Sequence, residues 1–290
     1  MAKLGEISRR PPLDEGRSEA GWATRYVDPM TQDPLPAPNQ RNLVVTAISL
    51  CGFVLFWWGL ALWRAHPQTL PAPPEVAQAI WAEAVSGRLW HHTSATLFRV
   101  SLAFTASMVL GVILGVILGL YPRLNKWLDP WVMVFLNLPA LVVIALCYLW
   151  IGLNEVAAVV AVTVNKTSMV LVTLREGTRA LDPALADLGR VFRLNLATRL
   201  RHIVLPQLTP YLVSSARNGL AIIWKLVLVV EFLGRSSGVG FQIHLKFQMF
   251  DITGVLAYAL AFVAVMLAID YWIVQPLERR ARRWRGVAGD

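Results

Sequence analysis

Charge is scarce in this chain. Of 290 residues only 16% are Asp, Glu, Lys or Arg, against about 25% in an ordinary soluble domain, while 56% are hydrophobic. That balance excludes a water-soluble globular domain and points to a membrane protein. Cysteine is scarcer still. Cys51 and Cys147 are the only two; both fall in apolar runs, neither has a CxxC or Cys/His partner, and they read as small buried apolar residues with no metal site. The five histidines (His66, His91, His92, His202, His244) are scattered over loops. No carboxylate pair occurs at helical spacing within an apolar run, so no catalytic set and no enzyme activity are expected. A G-x4-GK[ST] phosphate loop is also missing, so the chain binds no ATP of its own by this motif.

What is present is a series of apolar runs, each near the roughly 20 residues that cross a bilayer as a helix. They lie at about 42–63, 93–120, 131–153, 155–174, 211–233 and 253–274. The expectation is an all-α, polytopic protein with six transmembrane helices. Residues 1–41, rich in Pro, Arg and acids, read as a disordered tail. Residues 42–274 form the membrane domain, interrupted by a polar loop at 175–210, and 275–290 is a basic tail. No cleaved signal peptide is expected, because the first apolar run starts only after some forty polar residues.

Lys and Arg fix the expected orientation. The tail 1–41, the loops 121–130 and 175–210, and the end 275–290 hold nineteen, whereas the opposite segments hold four: Arg64, Arg88, Arg235 and Lys246. Both termini and the 175–210 loop are therefore expected in the cytoplasm. The net charge of +9 follows from this topology, with membrane lipid as the partner and no nucleic acid.

The connections differ in kind. The outer segment 66–92 opens with a proline cluster, then places Val76, Ile80, Trp81 and Ala84 at helical spacing before Gly87. His91 and His92 there read as interfacial polar residues rather than metal ligands. Gly111, Gly115 and Gly119 share one face of the second run and permit close approach of another helix. In the 175–210 loop, Asp182 can cap a helix with Pro183 at its first position. Leu185, Leu188, Val191 and Phe192 follow at three- and four-residue steps, and a second basic stretch is expected to end at Pro206 and Pro210.

Ionisable groups inside spans usually face protein or water. Ser214, Asn218, Ala221 and Lys225 align on one face over about 16 Å, and Asn165 and Lys166 lie near the middle of the fourth run. Ser214, Asn218, Lys225, Asn165 and Lys166 are the candidate lining of a path for a small anion. The alternative is that Lys225 pairs across helices with Glu231 or Asp270 and only fixes packing.

The 175–210 loop resembles that of permease subunits of bacterial ATP-binding-cassette importers, whose pattern is E-A-A-x3-G-x9-I-x-L-P. Asp187 stands at the Glu place, Leu188 and Gly189 at the two Ala places, Arg193 at the Gly place, and Ile203, Leu205 and Pro206 close it. The segments "LDPAL" at 181–185, "PYL" at 210–212, "LPAPPEV" at 70–76 and "GRSSGVG" at 234–240 are similar to the nitrate, sulfonate and taurine branch. The resemblance covers about residues 50–280. It implies a type I importer permease of the bacterial inner membrane, without a cofactor of its own. It also implies cytoplasmic ATPase subunits docking on the loop, a periplasmic or lipid-anchored solute-binding protein, and a second permease copy, expected as a homodimer. The rival class is an ion-coupled carrier needing no ATPase; it predicts mid-membrane carboxylates and internal repeats, which the sequence does not offer.

Overall fold

The computed structural model describes residues 40–64 and 69–276. Nearly all of the 1–41 tail and of the 275–290 end lies outside the described residues. The chain divides into two units, 1–55 and 56–290. Of the first, the described part is the beginning of helix α1 (Gln40–Arg64). Cys51 is exposed there, not buried as expected, because a helix apolar all round gives a small side chain no preferred inward face.

All regular secondary structure among the described residues is helical, with no strand among them. The second unit continues with α2 (Pro73–Val85), α3 (Arg88–Leu120), α4 (Pro122–Asn137), α5 (Ala140–Ile151) and α6 (Glu155–Arg179). Next come α7 (Pro183–Val191), α8 (Leu196–Arg199), a π-helical turn (Leu200–Val204), α9 (Leu205–Gly234), α10 (Val239–Gln248) and α11 (Ile252–Ile269), which ends in a second π-helical turn (Asp270–Val274). Among the described residues α3, α6 and α11 with its π turn are long and apolar enough to cross a membrane. The pair α4 and α5 passes when taken together. α9, at 30 residues, reaches about 45 Å.

The third expected span, 131–153, is not one straight helix. α4 and α5 meet at a bend of 97°, and α4 begins at Pro122, inside what reads from sequence as a loop. Pro139 explains the break: its ring pushes the preceding residue out of the helical region, and Leu138 is extended at ψ 127°.

Small residues set the packing of the bundle. α3 lies against α6 so closely that a methyl group at Gly111 would sit 2.5 Å from Val170 Cβ. At Gly115 it would sit 2.7 Å from the Leu171 carbonyl oxygen, and at Gly119 2.5 Å from Thr178 Cβ. In lipid, where no hydrophobic force drives helices together, such contact is the main source of association. α9 then crosses α6, with Gly177 under the Tyr211 ring, and α5 joins α9 where Tyr148 Oη donates to the Val230 carbonyl at 2.8 Å. The main core gathers residues of α3, α5, α6, α9, α10 and α11, including Ile144, Val162, Ile223 and Tyr258. α2 packs on α11: Val76 is buried and Tyr258 Oη donates to Glu83 at 2.8 Å.

Candidate functional site

Three groups of residues stand out: the loop after α6, a polar face of α9 with the middle of α6, and a charged cluster at the Glu155 end of the bundle.

The loop folds on itself. The Asp182 carboxylate accepts from Ala184 N–H at 2.8 Å, capping α7 as its sequence predicts. The helix closes with Leu194 N–H donating to the Gly189 carbonyl at 3.0 Å, the long bond of a Schellman turn, whose C′ residue takes a left-handed conformation. That residue is Arg193, at φ 49°. The Gly place of the family pattern is therefore a backbone position that favours glycine, and arginine there costs about 1 kcal/mol. Gly189 faces inward, where an added Cβ would meet Ile203 Cδ1 at 3.0 Å. Two pattern positions fourteen residues apart thus touch inside the loop. Leu188, Val191, Phe192, Leu205, Asp187 and Pro206 are exposed, Val191 by 77% and Phe192 by 67%.

Pro206 does not end a helix. The chain runs from α8 through the π turn into α9, with Pro206 in the first turn of α9 and Pro210 inside it. The wider π turn relieves the clash that a proline ring makes with the carbonyl four residues back. The loop is tied to α9 by Gln207, which accepts from Asp182 N–H at 2.9 Å and donates to the Ile203 carbonyl at 2.9 Å.

On α9, Ser214, Asn218, Ala221 and Lys225 are all exposed, forming one polar face that the described chain leaves uncovered. Among the described residues Lys225 makes no ion pair; Glu231 and Asp270 are engaged elsewhere, Asp270 accepting from Gln275 at 3.1 Å. Lys166 does not share this face. It is buried between helices, with Nζ 2.9 Å from Met169 Sδ and its stem against Gly219 of α9, while Asn165 beside it is half-buried.

The third group was missed from sequence. Arg99 of α3 is 3% exposed and spends every donor. It holds both oxygens of Glu155 at 2.7 Å, Glu231 Oε1 at 2.6 Å, and the Ser237 carbonyl and hydroxyl at 2.8 Å. Glu231, fully buried, also accepts from Thr96 Oγ1 and Gly240 N–H, each at 2.9 Å. Arg235 holds Glu155 from the other side. Gly238, at φ 113°, lies over the Glu231 carboxyl so closely that any side chain there would collide with it. His92, expected at the interface, is instead buried, its Nδ1 accepting from Gly238 N–H at 3.1 Å. The signal available was the cost of charge in a span, which requires that Arg99 and Glu231 find partners.

Outside the spans two carboxylates are held down by their neighbours. Burial pushes Asp251 up, but the Gly254 N–H and the Lys246 ammonium at 3.0 Å outweigh it and leave its carboxyl below the usual range. Burial likewise raises Glu83, and the hydrogen bonds from Arg88 and Tyr258 overcome it. Among the described residues no three His, Cys, Asp or Glu side chains are grouped to hold a metal.

The described residues form a helical bundle bent at a proline-broken span, joined by glycine contacts and carrying an exposed amphipathic loop. The model of the family described as "Binding-protein-dependent transport system inner membrane component" matches residues 107–283, and the chain belongs to that family. It is 31% identical over 219 residues, 74% of this chain and 81% of the other, to the putative aliphatic sulfonates transport permease SsuC of Escherichia coli (strain K12). It is 24% identical to the taurine transport system permease TauC of the same organism, over 86% of this chain and 92% of that one. It is 29% identical to the riboflavin transport system permease RibX of Chloroflexus aurantiacus, over 82% and 88%. Among solved structures, an amino acid ABC transporter with histidines matches with a TM-score of 0.56 at 18% identity, over 68% of this chain and 95% of that one. The methionine transporter MetNI in an inward-facing conformation matches with 0.54 at 18%, over 65% and 92%. The family and these relatives make the chain a permease subunit of an ABC importer, and with the apolar helices a multi-pass inner-membrane protein.

Proposed function

We propose that this chain forms the translocation path for a small anionic solute, of the sulfonate, taurine or nitrate kind, and is driven by a separate cytoplasmic ATPase that grips the 182–206 loop. It carries out no catalysis itself and needs no cofactor. ATP is bound by the partner, a solute-binding protein delivers cargo on the opposite side, and both termini face the cytoplasm. The observation that carries this reading is the exposed apolar face of α7, where Leu188, Val191 and Phe192 project from a loop braced by Gly189, Ile203 and Gln207. An apolar face of that kind on a rigid, basic loop is suited to a groove in a soluble partner. The uncovered polar face of α9 supports the rest: in a bilayer, Ser214, Asn218 and Lys225 require water or a second copy of the chain against them.

Purification of the tagged chain from its native membrane tests the reading. The parent is expected to bring down an ATPase, and Val191→Asp combined with Phe192→Asp to lose it while the bundle unfolds at the parent's temperature. Retention of the ATPase by the double variant, or solute uptake by the chain alone, overturns the proposal.

A further inference from the structure

Among the described residues Lys166 is a buried cation without a counter-charge. Its side chain is 2% exposed, and among the described residues its ammonium has one polar neighbour, the weakly accepting Met169 sulfur at 2.9 Å. Arg99, by contrast, is surrounded by carboxylates. An ammonium left this way in the middle of a membrane bundle is strongly disfavoured, and such groups persist where another state of the protein supplies a partner.

Two further polar groups lie one helical turn from the contact of Lys166 with Gly219. Thr163, one turn from Lys166 on α6, and Ser215, one turn from Gly219 on α9, are both buried, and among the described residues both hydroxyls lack a hydrogen-bond partner. Gly219 leaves room for the lysine stem: a Cβ there would meet Lys166 Cε at 3.1 Å, with Phe104 of α3 behind it at 3.8 Å. Among the described residues the seam therefore offers two hydroxyls without a partner and one ammonium met only by a sulfur, with no carboxylate bonded to any of the three.

We infer that Lys166, Ser215 and Thr163 form an oxoanion-binding station between α6 and α9, closed in this structure and opened when the two helices part at Gly219. The inference rests on the permease reading and assigns its anion selectivity to this seam, with the Lys225 face of α9 left outside it. A sulfonate, nitrate or bicarbonate group presents two or three oxygens to these donors, whereas a neutral solute leaves the ammonium unpaired and is disfavoured.

The test uses the full chain in lipid nanodiscs, with its thermal midpoint titrated by sodium ethanesulfonate and by sodium nitrate against sodium chloride at constant ionic strength. The parent is expected to show a saturable rise with an oxoanion. Lys166→Arg is expected to keep it, Lys166→Met to lose it, and Ser215→Ala to raise the half-saturating concentration several-fold. No saturable rise in the parent, or a parent-like response of Lys166→Met, overturns the inference. Should Lys166→Met not fold, Ser215→Ala and Gly219→Ala decide: an unchanged half-saturating concentration in both overturns it. Failure of the permease reading shows separately, as an oxoanion response from a chain that brings down no ATPase.

Discussion

Two buried cations of the bundle, Arg99 and Lys166, lie in opposite circumstances. Arg99 sits in a cage of Glu155, Glu231 and Ser237 that fills all its donor positions and joins α3, α6 and α9 to the loop before α10. Lys166, farther along α6, touches a sulfur and a glycine. The first arrangement is complete in itself, and such a cluster holds helix ends together. The second is incomplete, and an incomplete polar seam between helices is a place where the bundle can accept something. The contrast extends along the protein. The Glu155 end is sealed by internal ion pairs, while the 182–206 loop exposes Val191 and Phe192 and leaves its partner to be supplied.

Arg99→Met breaks the contrast most severely. It strands Glu231 as an uncompensated buried charge, and removal of one member of such a pair costs about 3–5 kcal/mol. The chain is expected to lose most of its thermal stability in detergent, and Arg99→Met with Glu231→Leu to recover much of it. Lys166→Met removes a charge that no carboxylate of the described residues pairs with, and is expected to leave stability unchanged or raised, which the same melting experiment measures.

Gly115→Leu acts on the packing beneath both sites. The new side chain meets the backbone of α6 at Leu171, and overpacking of this kind costs about 1–3 kcal/mol. Proteolysis of membrane-embedded protein is the readout.

Acid sharpens the comparison at the Glu155 end. The Asp251 and Glu83 carboxyls are held below their ordinary values, so the folded state favours their charged forms. Their contribution is full above the ordinary carboxylate range, about pH 4, and is lost as pH falls through the depressed folded values. The midpoint is expected to drop with acid in the parent and to drop less steeply in Asp251→Asn.

Arg193→Gly gives the smallest effect, a gain of about 1 kcal/mol from relief of the left-handed backbone at φ 49°. Slower hydrogen exchange at Leu194, whose N–H closes the turn onto Gly189, measures it.

Much of the loop was legible. Asp182 and Pro183 announce the start of α7, the Leu185–Phe192 spacing gives its apolar face, and the pattern positions Gly189, Ile203 and Pro206 place it in a family. The role of the Gly place was not, because a residue's φ depends on where the helix before it stops. The break at Leu138–Pro139 had a local cause in the proline, yet the apolar run around it reads as continuous. The Arg99 cluster was the least accessible, since Arg99 lies 56 residues from Glu155 and 132 from Glu231.

By itself the sequence determined the membrane class, the order of apolar runs and the amphipathic loop. Each of these depends on composition and on spacings shorter than a few turns of helix. Only the tertiary structure decided that Arg99 takes Glu231, that Lys225 faces outward, and that Lys166 is buried against Gly219. Those outcomes depend on how far each helix is rotated and how closely its neighbour approaches. The glycine contacts of α3 and the bend before α5 set both quantities, and a linear pattern of residues does not contain them.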